Sequence, residues 1–97
     1  MKEASTMSST TKKIDVWFSV IPEKGPHGNF ETKAVKSAAE KACEWKMCGW
    51  EPSLWIQWIG VDGQFPVREI PITTTRDTTA RLSSLKKMIQ NGELIDG

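Results

Sequence analysis

Residues 48–60 read C-G-W-E-P-S-L-W-I-Q-W-I-G, and the way this stretch divides decides the fold. Gly49 has the character of a residue that ends a helix in the left-handed conformation. Trp50 follows it and precedes Glu51-Pro52, so it falls in a connector. From Leu54 the chain alternates. Leu54, Ile56 and Trp58 share one face; Trp55, Ile59 and Val61 share the other. Residues 54–61 therefore form a strand. Both of its faces are apolar, which predicts a central strand or one covered on both sides.

Upstream of Gly49, Val35, Ala38, Ala42 and Trp45 recur at three- and four-residue steps, with Ala39 and Cys43 widening the stripe. That spacing predicts a helix ending near residue 47, capped by Asn29 or Thr32. Its alanines allow a close approach to whatever lies beneath. Downstream, Asp62-Gly63 is a two-residue hairpin signal. The returning strand, 64–72, contains Pro66 and Pro71, which cannot donate to a ladder, so it belongs at an edge.

Further out, residues 13–21, K-I-D-V-W-F-S-V-I, place Ile14, Val16, Phe18 and Val20 on one strand face and Asp15, Trp17, Ser19 and Ile21 on the other. Residues 22–31 hold two prolines and two glycines around Gly25-Pro26 and read as a loop. A last helix over 78–90 has Leu82, Leu85 and Ile89 as its apolar stripe, Thr75 or Asp77 as its cap and Asn91-Gly92 as its stop. Residues 1–12 are polar and rich in Ser and Thr and read as a flexible tail; residues 13–97 read as one domain. The expected fold is α+β: a small mixed or antiparallel three-stranded sheet with two helices, in the order β-α-β-β-α. Helices on one face alone would leave Trp17, or Trp55 with Ile59, looking outward.

Composition narrows the function. The chain has 97 residues, of which 38% are hydrophobic and 26% charged, and 13 basic residues face 12 acidic ones. A net charge of +1 gives no general pull toward nucleic acid or membranes. It also excludes a DNA mimic, which needs a dense acidic surface. No run approaches the ~20 apolar residues of a membrane span. The opening residues lack the apolar centre of a signal peptide, so a cytoplasmic location is expected.

Groups for chemistry are sparse. Cys43 and Cys48 do not form a CxxC pair, and His27 is the single histidine. Two reduced thiols, at least one packed, are expected instead of a zinc site; a catalytic thiol served by His27 is the sharper alternative. Asp15 and Glu69 lie in expected strands and could pair, which is weak evidence for hydrolysis. Ser5, Ser8 and Ser9 have no base held beside them, and no Gly-rich loop precedes a helix. No catalytic residue, metal ligand or cofactor is assigned, and the chain is not expected to be an enzyme.

Binding is the class that remains. Trp45 and Trp58 sit on periodic apolar stripes and read as core. Trp17, Trp50 and Trp55 stand open between core and interface, where Trp and Arg are frequent energetic anchors. Arg76, Arg81, Lys86 and Lys87 on the last helix are either a solvated face or a contact for an acidic partner or phosphates. That helix carries no aromatics to stack on bases, so direct DNA binding is not expected. Gly25-Pro26, and after it Phe65-Pro66, suit the shallow groove of a cyclophilin-type prolyl isomerase, because X-Pro bonds in flexible loops sample both isomers. Ordinary turn and edge chemistry explains both dipeptides as well.

Taken together, the polar tail, K-I-D-V-W-F-S-V-I, C-G-W-E-P-S-L-W-I-Q-W-I-G and R-L-S-S-L-K-K-M-I-Q-N-G resemble the anti-RecBCD accessory recombination proteins of lambdoid phages over nearly the whole chain. The resemblance implies a protein of the bacterial host cytoplasm that binds the helicase–nuclease RecBCD through RecC. It would alter the processing of DNA ends in favour of phage recombination. It assigns no residue a role. A small phage regulator that binds nucleic acid through the basic last helix is the alternative.

Overall fold

The computed structural model describes residues 14–60 and 63–93; the tail reading for residues 1–12 lies outside them. Among the described residues the chain forms β1 (Val16–Pro22), β2 (Phe30–Thr32), α1 (Val35–Met47), β3 (Pro52–Trp58), β4 (Val67–Ile70) and α2 (Thr75–Gln90). The strands make one antiparallel sheet in the order β2-β1-β3-β4. The class is α+β, as expected, but the sheet has four strands where three were expected and the element order is β-β-α-β-β-α. The added strand, F-E-T, is too short to show alternation. Pairing with β1 makes it a strand, through Phe18↔Thr32, Ser19↔Glu31 and Val20↔Phe30.

The long pairing is β1 with β3, in register from Val16↔Trp58 to Pro22↔Pro52. It puts Val16, Phe18, Val20, Leu54, Ile56 and Trp58 on one face, and β4 adds Ile70. These residues share a single buried cluster with Ala38, Ala39, Ala42 and Trp45 of α1 and Leu82, Leu85 and Ile89 of α2. Both helices thus cover the same face. Ala at 38, 39 and 42 brings α1 close to the strands beneath it. α2 runs antiparallel beside α1. Cys43 Sγ donates to Thr73 O at 3.7 Å and Lys46 Nζ to Ile72 O at 2.7 Å at one end, and Lys86 Nζ donates to Lys33 O at 3.2 Å at the other.

Several element ends differ from expectation for identifiable reasons. α1 starts at Val35 with Ala34 at its cap and no side-chain cap bond; Thr32 Oγ1 instead accepts from Ala34 N at 3.1 Å, a turn just before the helix. α2 begins three residues earlier than the expected 78, because Thr74 is the cap in place of Thr75 or Asp77, its Oγ1 accepting from Asp77 N at 3.0 Å. Thr78 lies in the first turn, buried, and accepts from Thr73 N at 3.1 Å. The hairpin between β3 and β4 is not closed by a two-residue turn. Trp58 N donates to Pro66 O at 3.2 Å and Gly60 N to Gln64 O at 2.7 Å, leaving residues 61–63 between the last pair. Gly63, at φ +75°, supplies the left-handed residue that such a three-residue loop requires; Asp62 lies outside the described residues. Prolines 66 and 71 bracket the edge strand β4, which shortens it to four residues.

The cap assignment is directly testable. Thr74→Ala is expected to lower unfolding free energy by about 1 kcal/mol. Thr75→Ala, whose exposed side chain caps nothing, should stay within about 0.5 kcal/mol. Urea unfolding of the two variants distinguishes them, and equal losses would place the cap elsewhere.

Candidate binding surfaces

With both helices on one side, the other face of the sheet is left to β1 residues Trp17, Ser19 and Ile21, β2 residue Glu31, β3 residues Ser53, Trp55 and Gln57, and β4 residues Val67 and Glu69. Trp17 is opposite Gln57 and diagonal to Trp55, within reach for indole side chains. The ladder bonds at Trp58–Pro66 and Gly60–Gln64 carry the register beyond the strands, so Ile59 faces Phe65 on this same side. Phe65 is 67% exposed, Val67 48% and Ile59 40%, so the apolar surface runs on from the tryptophans to the hairpin. At its centre Ser19 Oγ donates to Gln57 Oε1 at 3.1 Å. This bond satisfies the Ser19 hydroxyl hydrogen and the Gln57 carbonyl oxygen, and leaves Gln57 Nε2 as a donor for whatever covers the face.

Trp17 and Trp55 are half-buried here, so the structure brings these two candidates together. Trp50 is elsewhere. Its indole forms the floor under Gly25, with a Cβ at Gly25 falling 2.7 Å from the ring, and its carbonyl accepts from Glu23 N at 3.2 Å and Lys24 N at 3.0 Å. His27 stacks on Trp45 with ring centroids 5.4 Å apart and planes 1° apart, and lies 5.0 Å from the Trp50 ring. The loop after β1 is therefore fastened to an aromatic nest of Trp45, Trp50 and His27, and Lys24 pairs with Glu51 at 3.1 Å beside it. Glu51 itself has φ +48°, a left-handed conformation for a non-glycine residue. Sequence spacing offers no sign of this nest, since His27 and Trp50 come from separate loops.

Arg76, Arg81, Lys86 and Lys87 do not form one patch. With 3.6 residues per turn, Arg76 and Lys87 share the outer side of α2, while Arg81 and Lys86 flank the stripe of Thr78, Leu82, Leu85 and Ile89 on opposite sides. Arg81 lines a groove with Pro71, Thr73 and Met88, and Lys86 reaches back to the Lys33 carbonyl. All four are on the helical side of the molecule, away from Trp17 and Trp55. Gly25 and Pro26 are exposed near one end of the long strands. Phe65 and Pro66 are at the other, about 20 Å away along the strand direction. Pro66 packs against Gly60, where an added Cβ would come within 3.3 Å of its ring.

Cys43 is buried and Cys48 exposed, both free. Asp15 pairs with Lys33 at 3.7 Å and not with Glu69, which is two strands away from β1 at the sheet edge. Among the described residues no group of three or more His, Cys, Asp and Glu side chains is placed to hold a metal ion, and no helix is long and apolar enough to cross a membrane. No known family model, curated protein or solved structure matches the chain.

The contact between Gly25 and Trp50 yields a stability test. Gly25 sits at φ +97°, and a methyl group there meets the Trp50 ring; at Gly28 a methyl group meets nothing within 4 Å. Gly25→Ala should cost about 1–3 kcal/mol and change tryptophan emission as the ring is displaced, whereas Gly28→Ala should do neither. Thermal unfolding followed by fluorescence checks both.

Proposed function

We propose that the chain is a non-catalytic binding protein that docks on the host RecBCD helicase–nuclease through RecC, in the bacterial cytoplasm, and alters its processing of DNA ends in favour of phage recombination. One observation supports docking above all: among the described residues the sheet face bearing Trp17 and Trp55 has no helix over it, and it continues into Ile59, Phe65 and Val67. Isolated exposed apolar residues are ordinary, but a continuous face with two indoles is typical of a surface that another molecule covers. The choice of RecBCD as partner comes from the resemblance in sequence to the anti-RecBCD accessory proteins. A chain of near-neutral charge cannot occupy a DNA channel by imitating phosphates, so its effect on the enzyme comes through protein contact and altered conformation or exit routes.

The experiment is comigration with purified RecBCD on gel filtration at micromolar concentration. Trp17→Ala and Trp55→Ala are each expected to weaken the complex by about 2 kcal/mol with unfolding still cooperative. Both rings are partly solvated, so neither loss empties the core. A wild-type chain that never comigrates sinks the proposal.

A cyclophilin-type prolyl isomerase is proposed as a second host partner, with Gly25-Pro26 as its docking point and Phe65-Pro66 next in line. The support is exposure: Gly25 and Pro26 are both exposed, in a loop whose position the aromatic nest fixes. Pro26→Ala should abolish isomerase binding and leave the RecBCD complex intact. Isomerase retained by the Pro26→Ala protein would move the site to Pro66.

A further inference from the structure

We infer that the surface covered by the open sheet face is a protein patch with apolar side chains at its centre and arginine or lysine at its border, and that Glu31 and Glu69 orient the two surfaces through ion pairs. This rests on the docking reading above and adds the chemistry of the occupant.

The residues concerned lie in one row across the sheet. Glu31 is opposite Ser19, Ser19 is opposite Trp55, and Trp55 is opposite Glu69, one residue from each strand in the order β2-β1-β3-β4. Three strand spacings separate the carboxylates, so their Cα atoms are about 14 Å apart with an indole between them. No strand residue on this face is a cation. Beside this face, just past β2, Lys33 Nζ lies 3.7 Å from Asp15; elsewhere Glu40, Glu44 and Glu51 are each paired with a lysine within 4.0 Å, while among the described residues Glu23, Asp77 and Glu93 are not. Glu31 and Glu69 are exposed, and among the described residues neither has an ion-pair partner. The face thus has two indoles beside a polar Ser19–Gln57 pair, is negative at both ends of its middle row, and among the described residues has no cation free to meet those two carboxylates.

That pattern separates the possible occupants. Two neighbouring indoles would suit stacking on unpaired bases, but a nucleic acid lying over Trp55 brings its phosphates toward Glu31 and Glu69, and the one cation beside the face among the described residues, Lys33, is already paired with Asp15. A second copy docked face to face sets carboxylates against carboxylates and, among the described residues, brings only Lys33, already paired with Asp15. A protein surface with two basic groups spaced to meet Glu31 and Glu69 satisfies the charges and leaves Trp17 and Trp55 to supply the apolar contact. Rim charges of this kind act on orientation and on the rate of encounter, and their effect declines with salt.

The test uses the full-length chain and purified RecBCD, with the dissociation constant measured at low and at high salt. Glu31→Lys combined with Glu69→Lys is expected to weaken binding at least tenfold at low salt, with the difference narrowing at high salt. Glu40→Lys, on the outer side of α1, makes the same kind of charge change on the helical side and should leave affinity within twofold. Melting temperatures confirm that each variant folds. Wild-type affinity in the Glu31, Glu69 double variant would overturn the inference while leaving the Trp17 and Trp55 docking reading in place; a wild-type chain that does not bind RecBCD overturns both. Binding of oligo-dT that disappears in Trp17→Ala, or a dimer of the free chain that dissociates in the same variant, would assign the face to nucleic acid or to a second copy and overturn the inference as well.

Discussion

The register of β1 against β3 is the constraint from which the rest of the structure follows. Seven consecutive pairs, from Val16↔Trp58 to Pro22↔Pro52, put Phe18 beside Ile56 and Val20 beside Leu54 on one face. The same pairing puts Trp17 beside Gln57 and Ser19 beside Trp55 on the other. A slip of one residue would send Phe18 and Val20 to the uncovered side and bring Trp17 and Ser19 under the helices. The helices enforce the choice, because the alanines of α1 leave room for the fully buried Phe18, Leu54, Ile56 and Trp58 side chains. Once that face is filled, the other face is defined by default, and its two indoles become neighbours.

Covering only one face has a cost and a consequence. A small domain has few apolar residues with which to build a core, and this one places nearly all of its buried hydrophobics in a single cluster between the sheet and two helices. Trp17, Trp55, Ile59, Phe65 and Val67 are left outside it, partly or largely in solvent. The aromatic nest around Trp45 shows a different use of indole. There Trp50 and His27 fix the loop after β1, and the half-buried Trp50 ring lies against Gly25. Tryptophans that look alike in sequence therefore divide into core (Trp45, Trp58), loop anchor (Trp50) and uncovered sheet face (Trp17, Trp55).

Much of the fold was legible because its signals are local. The alternation of residues 54–58, the stripe of Ala38, Ala42 and Trp45, and the stripe of Leu82, Leu85 and Ile89 all place their apolar residues in the core correctly, with Val35 half-buried at its margin. The strand Phe30–Thr32 was not legible, since three residues cannot display a period and only pairing with β1 makes them a strand. The cap at Thr74 was missed because three threonines stand in a row and any of them can cap; the bond from Asp77 N selects one. The basic residues of α2 looked like a set in sequence, yet helical geometry separates them around the axis.

By itself, the sequence determined the α+β class, the central place of β3, the edge place of the proline-bracketed β4 and most of the core residues, though not Ile70. Each follows from periodicity or from the missing amide of proline, properties carried within a few neighbouring residues. Tertiary structure alone decided which face of the sheet the two helices cover, that Trp17 and Trp55 are adjacent on the other, and that Glu31, Ser19, Trp55 and Glu69 form one row. It also decided that Gly25 rests on Trp50. These facts depend on pairings between residues far apart in the chain. Such pairings are set by how the strands align and by which side the helices cover, and no local pattern of residues encodes them.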